Sequence, residues 1–253
     1  MAHGIKREED IPRAEAHEGR GEVRLFSAIA PKYDLLNHLL SLGIDRRWRG
    51  ALIGHAEIQP GERVLDLCTG TGDIAIEIAR QGCAGEIVGV DLEEGMLAIA
   101  RQKAERLRFQ GKIMFQQGDG LDLPFEDGTF DVVTIGFGLR NLADRERGIA
   151  EMARVLKEGG RLSILEFSLP RGPLLSRAYH LYLNRFIPAI GGLISGKQSA
   201  YRYLASSIQG FLEREEVLEL MRAKGLRDLQ LTELTGGIAS IYRGEKVSAD
   251  TLL

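Results

Sequence analysis

Aspartates and glycines follow the first apolar run of the chain, in the stretch LDLCTGTGD. Asp66 lies within the run, Gly70 and Gly72 follow it, and Asp73 comes directly after the glycines. Glycines at this spacing allow a tight turn and a close approach of the backbone to a ligand. A bound pyrophosphate would face two carboxylates at close range, whereas a ligand with a sulfonium and an ammonium group would be attracted. We therefore expect Asp66, Gly70 and Gly72 to line a site for S-adenosylmethionine.

Two further aspartates end the next two apolar runs. Asp91 ends EIVGVD, and Asp119 ends KIMFQQGD, directly before Gly120. A carboxylate at the first position can accept hydrogen bonds from ribose hydroxyls, as it also would in a dinucleotide site, and one at the second can accept from an adenine amino group. Any single aspartate here, such as Asp73, could instead cap a helix or turn. Two of them at successive strand ends favour a ligand site, since ligands bind at this edge of a doubly wound sheet.

The elements that carry these residues alternate between strand and helix. Strands are predicted over 63–70, 86–91, 112–119, 130–138, 161–168, 227–234 and 238–244, and helices over 73–81, 94–109, 144–157 and 214–225. Gly159 and Gly160 are expected to end the third of these helices, and the last two strands could form a hairpin. This order predicts an α/β fold with a doubly wound, mostly parallel seven-stranded sheet, N-terminal helices and a helical lid insert at about 173–203.

Length and composition indicate one domain over 21–246, between a flexible N-terminal arm at 1–20 and a tail at 247–253. The net charge of −3 offers no basic field to attract nucleic acid. The N-terminus lacks an apolar signal segment, no apolar stretch approaches the ~18 residues of a membrane span, and two cysteines form no disulfide framework. We therefore expect a cytoplasmic protein. The five histidines form no metal-binding motif, so no metal is expected.

Two longer motifs carry a resemblance to a known family. The first, YDLLNHLLSLGIDRRW at 33–48, resembles Y-D-x-M-N-x-x-x-S-x-x-x-H-x-x-W, although Leu36 replaces the methionine and Asp45 replaces the histidine. The second, RVLKEGGRLSILEFS at 154–168, resembles R-V-x-K-P-G-G-x-x-x-x-x-E-x-S, although Glu158 replaces the proline. The two motifs together are far more specific than the glycine loop.

With IGFGLRN at 135–141, these motifs make the chain similar to the C-methyltransferases of ubiquinone and menaquinone biosynthesis, a group of class I S-adenosylmethionine-dependent methyltransferases, over about residues 21–245. The resemblance implies methyl transfer to a ring carbon of a prenylated quinol, as in the conversion of demethylmenaquinol to menaquinol. It also implies that five residues contact the cofactor, namely Thr71, Asp91, Asp119, Gly120 and Gly136.

The segment at 33–48 has two interpretations. Its apolar residues recur at helical spacing and predict a packing helix, followed by a second helix that Asp45 is expected to cap. The family resemblance places the segment over the cofactor-binding edge of the sheet. There Tyr33 is expected to help cover the cofactor or the substrate.

Methyl transfer from a sulfonium needs an electron-rich carbon held in line behind the methyl group. A quinol carbon becomes nucleophilic when the ring hydroxyl loses its proton to a base, or to a water held by polar residues. We expect Arg140 to stabilise the developing phenolate and Asn141 to orient it or a water. The alternative for Arg140 is a structural pair with a carboxylate such as Asp144. A nucleophilic role for Cys68 is disfavoured, because no histidine lies near it in the sequence.

The insert at 173–203 combines an apolar helical stripe with basic side chains. The stripe comprises Leu174, Leu175, Ala178, Leu181 and Tyr182, and the basic residues are Arg177, Arg185, Lys197 and Arg202. This pattern predicts a lid over a hydrophobic substrate that contacts a membrane at its inner face, although such a stripe also fits a helix packed on the sheet. The oligomeric state stays open, a homodimer included.

Other functions stay open at this point. A nicotinamide-dependent oxidoreductase would also use Asp91, but the carboxylates beside the glycine loop argue against it. Methyltransferases of nucleic-acid amino groups commonly carry (N/D)-P-P-(Y/F) where this chain has GFGLRN, and magnesium-dependent O-methylation would need clustered carboxylates there. A non-enzymatic accessory subunit of a quinone-synthesis assembly is disfavoured by the intact GFGLRN. The ubiquinone-pathway benzoquinol is a second substrate, and demethylmenaquinol is favoured because the acidic N-terminal arm is unlike a mitochondrial transit peptide.

Overall fold

The computed structural model describes residue 41 and residues 43–187 and 198–247, without the side chains of 198–203. The described strands are β1 (Arg63–Leu67), β2 (Glu86–Asp91), β3 (Ile113–Gln117), β4 (Phe130–Gly136), β5 (Leu156–Phe167), β6 (Leu226–Leu234) and β7 (Ala239–Lys246). The described α-helices are α1 (Asp45–Ala56), α2 (Asp73–Gln81), α3 (Glu94–Arg106), α4 (Arg145–Val155), α5 (Pro173–Leu181), α6 (Gln198–Gln209) and α7 (Arg214–Ala223). A π-helical turn spans Tyr182–Phe186, and 3-10 turns span Leu139–Asn141 and Thr235–Gly237.

The seven strands form one sheet in the order β3-β2-β1-β4-β5-β7-β6. The first five strands are mutually parallel, and β7 runs antiparallel to both β5 and β6. Leu67 pairs with Val90 on one side and with Ile135 on the other, and Gly136 pairs with Leu165. The carboxyl ends of these strands therefore meet at one edge, and the strand order reverses there between β1 and β4. The predicted doubly wound sheet and its final hairpin are confirmed.

Apolar side chains bury the sheet on both faces. On one face, Trp48 and Leu52 of α1 pack with Ile74 and Ile78 of α2. The two isoleucines are four residues apart and therefore share one side of α2. Full burial of each such side chain stabilises the fold by about 1.5–3 kcal/mol. On the other face, α4 and α7 cover the strands through a second core. This two-sided burial explains why the parallel strands are apolar almost throughout.

The helix α4 ends earlier than the sequence predicts. It stops at Val155 rather than at Lys157, ahead of the glycines, and Leu156 already belongs to β5. Leu156 is fully buried and pairs with Phe130, so the chain leaves the helix to place this side chain in the core. The glycines instead form the irregular start of the strand, where Gly159 has a φ of 72°. A Cβ on Gly160 would lie 2.8 Å from a backbone oxygen, so this turn requires glycine.

The start of α1 also differs from the prediction. Ile44, not Asp45, is the residue that precedes the helix, and no side chain caps it. Asp45 is the first helical residue, where it accepts a hydrogen bond from Ser41 Oγ at 2.6 Å and pairs with Arg49 at 3.0 Å. An acid in the first turn still interacts favourably with the helix dipole. Tyr33 and most of its segment lie outside the described residues, as do the arm at 1–20 and residues 248–253.

The insert contacts the body of the protein mainly through residues outside the predicted stripe. Tyr179, Leu183 and Ile187 are buried and pack with Ala205 and Ile208. Two leucines of the predicted stripe, at 174 and 181, are 83% and 54% exposed, whereas Tyr182 of the same stripe is half-buried and packs against this cluster. The stripe is therefore divided between solvent and the packed side of the insert. None of the described helices is both long and apolar enough to span a membrane.

Candidate active site

The glycine loop follows β1 and is held by a carboxylate from β2. Cys68, Gly70 and Gly72 have φ values of 53°, 56° and 81°, so the chain turns through the left-handed region three times in five residues. The N–H of Gly70 donates to Oδ2 of Asp91 at 2.8 Å, and Oδ1 of Asp91 accepts from the N–H of Glu93 at 2.9 Å. Burial raises the pKa of Asp91. Asp91 thus ties the loop to the next strand at the edge where a ligand is expected.

Asp66 supports the loop from inside the sheet. Its side chain is fully buried and accepts hydrogen bonds from Thr69 Oγ1 at 2.6 Å and from Thr134 Oγ1 at 2.9 Å. Burial raises its pKa from 3.8 to about 6, despite these hydrogen bonds. Because the carboxylate is enclosed by protein, it does not line the ligand site as the sequence predicts, and it supports the loop through Thr69.

Asp73 does not belong to the ligand-facing carboxylates. It forms ion pairs with Arg49 at 2.8 Å and with Lys103, whose Nζ also donates to Thr71 Oγ1 at 3.2 Å. Two cations therefore neutralise Asp73, and it would not repel a pyrophosphate as the sequence suggests. The expected preference for a cationic ligand would therefore depend on the carboxylates of Asp66 in β1 and Asp91 in β2.

The loop after β3 brings a third predicted carboxylate to the same edge. Gln117 pairs with Asp91, so Asp119 follows the neighbouring strand end. Asp119 is exposed, and its Oδ1 accepts from the N–H of Leu121 at 2.9 Å. Gly120 is buried, and a Cβ there would lie 3.2 Å from a side-chain carbon of Leu142. The loop thus combines an accessible carboxylate with tightly packed backbone.

A strained turn follows β4. A Cβ at Gly136 would lie 2.3 Å from Ile74 Cδ1, so any larger residue here would have to displace the end of the Ile74 side chain of α2. The next residue, Phe137, has a φ of 59°. Left-handed backbone costs a bulky residue on the order of 1–3 kcal/mol. The carbonyl of Phe137 accepts a hydrogen bond from Arg140 Nη1 at 2.5 Å and a long one from Asn141 Nδ2 at 3.4 Å. Both predicted catalytic residues therefore brace this turn.

Arg140 forms a buried ion pair with Glu166 of β5. Its Nη1 lies 2.6 Å from Glu166 Oε1, and the two side chains are 4% and 0% exposed. Glu166 also accepts from the N–H of Arg140 at 3.1 Å and from the N–H of Phe167 at 2.8 Å. Arg140 therefore pairs with a carboxylate, as the alternative prediction says, but the carboxylate is Glu166 rather than Asp144. Asp144 caps α4 instead, where it accepts from the N–H of Arg147 at 2.9 Å.

Three aromatic rings meet beside this ion pair. The rings of Phe137 and Phe167 lie 4.5 Å apart between centroids with an interplanar angle of 33°. Trp48 contacts both, at 6.2 Å and 6.1 Å, and its Nε1 donates to Thr235 Oγ1 at 2.8 Å. The guanidinium of Arg140 lies over the Phe167 ring at 5.2 Å. The carboxyl ends of β4 and β5 therefore carry an aromatic cluster next to the cofactor edge.

Comparison with known protein families shows to which family the chain belongs. A model of the ubiE/COQ5 methyltransferase family matches residues 14–246 of the chain. The chain belongs to this family. The match covers all the strands and helices that the structure describes.

Individual relatives agree with the family match. The chain is 50% identical over 223 residues to a protein of Geobacter sulfurreducens named ubiquinone/menaquinone biosynthesis C-methyltransferase UbiE, covering 88% of this chain and 87% of the relative. It is 46% identical to proteins named demethylmenaquinone methyltransferase in Deinococcus radiodurans, over 90% of this chain and 94% of the relative, and in Thermus thermophilus, over 88% and 100%. The relatives thus carry both names.

Solved structures support the fold. The structure of the cyclase SpnF is 17% identical with a TM-score of 0.66, covering 91% of this chain and 97% of that one. Phosphoethanolamine N-methyltransferase 2 of Haemonchus contortus, in complex with S-adenosyl-L-methionine, is 16% identical with a TM-score of 0.61, covering 79% of this chain and 52% of that one. A cyclase and a methyltransferase share this fold, so the fold alone does not decide the reaction.

Several residues that the sequence predicts for the site lie at one edge of the sheet, and the structure adds others to them. The carboxyl edge brings together Gly70, Asp91 and Asp119 on one side of the switch point and Arg140 on the other. Sequence reasoning assigned no role to Glu166, although a single acid in the apolar strand SILEFS was a usable signal. The Phe137–Phe167 contact and the Lys103 contact had no such signal, because each joins residues that are distant in sequence.

Nucleophilic chemistry by Cys68 is disfavoured at this edge. Burial raises the pKa of the Cys68 thiol well above its usual range, and nearby carboxylates raise it further, so the reactive thiolate is disfavoured. Among the described residues, no group of three or more histidine, cysteine or acidic residues is placed to hold a metal ion.

Proposed function

We propose that this protein transfers the methyl group of S-adenosylmethionine to a ring carbon of a prenylated quinol, with demethylmenaquinol as the substrate. The observation that carries the proposal is the position of the glycine loop with Asp91 on one side of the switch point and of the GFGLRN turn on the other. Ligands of doubly wound sheets bind at this point. Family membership and the relatives named demethylmenaquinone methyltransferase support the same reaction.

The residues of this edge fit a ligand with a fixed positive charge. Burial raises the pKa of both Asp66 and Asp91, so each is held in its ionised form at an energetic cost. A nearby cation would lower both pKa values and stabilise the carboxylates. Asp91 would hold the ribose hydroxyls, and Asp119 with Gly120 would hold the adenine, beside Thr71 of the loop. When bound, S-adenosylmethionine supplies an electrophilic methyl group.

The turn that carries Arg140 and Asn141 would face the hydroxyl of the acceptor ring. Glu166 lies 2.6 Å from Arg140, whose side chain is only 4% exposed, so Arg140 would hold the turn in place rather than contact the ring. Asn141 would orient the ring hydroxyl or a water that takes its proton. Holding the ring carbon in line with the methyl group supplies much of the rate, up to about 7–11 kcal/mol.

The insert would approach the membrane that holds the prenylated substrate. Leu174, Leu181 and Phe186 are 83%, 54% and 53% exposed, and Arg177 and Arg185 lie on the same segment. Apolar side chains can enter the interface while arginines contact anionic headgroups. We therefore place the protein in the cytoplasm with peripheral contact at the inner face of the membrane.

A labelling experiment tests the reaction and its substrate. Purified protein is incubated with methyl-labelled S-adenosylmethionine and either reduced demethylmenaquinone or the corresponding demethylated benzoquinol. We expect transfer to the ring of demethylmenaquinol. Transfer to the benzoquinol alone would assign the ubiquinone pathway, which some relatives' names include. No transfer to either quinol would refute the proposal, and quinone reduction with a nicotinamide cofactor would favour an oxidoreductase.

A further inference from the structure

The strained turn at Phe137 is held from several sides. Its N–H donates to the carbonyl of Leu165 at 2.7 Å, and its own carbonyl accepts from Arg140 Nη1 at 2.5 Å. Arg140 is fixed in turn by Glu166, which is fully buried. Strained backbone persists only where the surrounding structure determines it, and it concentrates at working sites. A buried ion pair therefore maintains one orientation of the Phe137 side chain.

That orientation places the Phe137 ring against Phe167 at the edge of the sheet. The centroid separation of 4.5 Å and the angle of 33° give a tilted pair whose two residues are both half-buried. Trp48, only 5% exposed, closes the cluster from α1. Phe167 also packs against the buried residues of the insert, which begin with Tyr179. The aromatic pair thus lies between the cofactor edge and the insert.

We propose that Phe137 and Phe167 form the surface on which the aromatic ring of the substrate lies, and that the Arg140–Glu166 pair acts as its positioning element. The proposal rests on the proposed function, because it requires a flat aromatic acceptor. Aromatic faces bind such rings in offset or edge-to-face arrangements with centroids about 4.5–7 Å apart. This surface would recognise the ring system independently of the prenyl chain.

Trp48 provides a direct reporter for the surface. It is the single tryptophan of the chain, and it contacts both phenylalanines at 6.2 Å and 6.1 Å. A quinone bound beside it would quench its fluorescence through electron transfer at contact distance. The probe is 1,4-naphthoquinone, which has the ring system but no prenyl chain and, because it is oxidised, no electron-rich ring carbon to accept the methyl group. Titration of the full-length protein yields the naphthoquinone concentration at half-maximal quenching.

The ring contacts are tested with Phe137→Leu and Phe167→Leu. Each is expected to raise the half-quenching concentration by about two- to tenfold, the usual effect of one aromatic pair. Phe137→Tyr keeps the ring and should bind as the native protein does. The matched control is Phe125→Leu, which removes a ring 4.9 Å from Phe130 in the core away from this edge. S-adenosylhomocysteine affinity should be unchanged in all four variants.

Two results would overturn the proposal. Native quenching concentrations in both Phe137→Leu and Phe167→Leu would exclude the surface. An unchanged concentration in Glu166→Gln, measured well below its unfolding temperature, would exclude the positioning role. The methyl-transfer assay separates the two levels of inference. If the native protein methylates the quinol but quenching is unchanged in the phenylalanine variants, only the ring surface is contradicted. If quenching is weakened in those variants but the native protein transfers no methyl group, only the proposed reaction is contradicted.

Discussion

Glu166→Gln is the most informative perturbation of this protein. The substitution keeps the size of the side chain and one oxygen acceptor but removes the charge that faces Arg140 at 2.6 Å. The Arg140 side chain is only 4% exposed, so solvent cannot replace the lost partner. The second oxygen, which accepts from the N–H of Arg140 at 3.1 Å, would become an NH2 group facing that donor. The variant therefore removes the counter-charge that Glu166 supplies to a buried cation.

The expected cost follows from the burial of both partners. Removing one member of a buried ion pair typically lowers the free energy of unfolding by about 3–5 kcal/mol. For a protein of this size, that corresponds to a fall of about 6–20 °C in the melting temperature. The matched control is Glu215→Gln, which breaks a pair with Arg171 at 2.7 Å whose side chains are 65% and 59% exposed. Exposed pairs contribute about 0–1 kcal/mol, so this control should melt close to the native protein.

Urea unfolding and calorimetry measure both variants, and a second substitution sharpens the test. Adding Arg140→Met to Glu166→Gln removes the uncompensated cation, so part of the lost stability should return, on the order of 1–3 kcal/mol of coupling. The reasoning is refuted if Glu166→Gln unfolds within about 1 kcal/mol of the native protein. It is also refuted if adding Arg140→Met to Glu166→Gln lowers the free energy of unfolding by as much as Arg140→Met lowers it in the native protein.

Two further predictions concern charge and the insert. Because the folded-state pKa of Asp66 is raised from 3.8 to about 6, the free energy of unfolding should fall as the pH rises through that interval. A nearby sulfonium would lower the pKa of Asp66, so S-adenosylmethionine should bind with release of a proton between these pH values and should bind more tightly at higher pH. Calorimetry in two buffers measures the proton release. The same pH dependence for S-adenosylhomocysteine, which lacks the sulfonium, would contradict this prediction. Replacing Leu174 and Leu181 with aspartate should lower the affinity for anionic, quinone-containing vesicles about tenfold or more, because burial of each leucine contributes about 1.5–3 kcal/mol. Sedimentation with the vesicles measures this affinity. Activity in detergent should persist, and native protein that does not sediment would exclude membrane contact.

The sequence predicts the sheet well because the relevant signals are local. The central strands β1, β2 and β4 are short, mainly apolar runs, and burial on both faces demands that pattern. The predicted positions of Asp91 and Asp119 at neighbouring strand ends are likewise observed, since a strand end can be located from its own residues. The end of α4 is missed because the burial of Leu156, not the glycines that follow, decides where the helix stops.

The roles of individual charges are much less predictable. Asp73 and Asp66 look equivalent in the sequence, one on each side of the glycines. The structure neutralises Asp73 with Arg49 and Lys103 but encloses Asp66 with two threonine hydroxyls. Spacing cannot distinguish these outcomes, because Arg49, Lys103 and Thr134 come from elements that are distant in sequence from the loop.

The sequence by itself determined the architecture, the family and the strand ends that carry the cofactor residues, because periodic burial and turn chemistry are written into short stretches. Only the tertiary structure showed that Arg140 is bound to Glu166 and that Phe137 lies on Phe167. Both contacts join the loop after β4 to the end of β5. They exist because parallel strands bring their carboxyl ends to one edge, and the geometry of that edge, rather than any local pattern, decides which side chains meet.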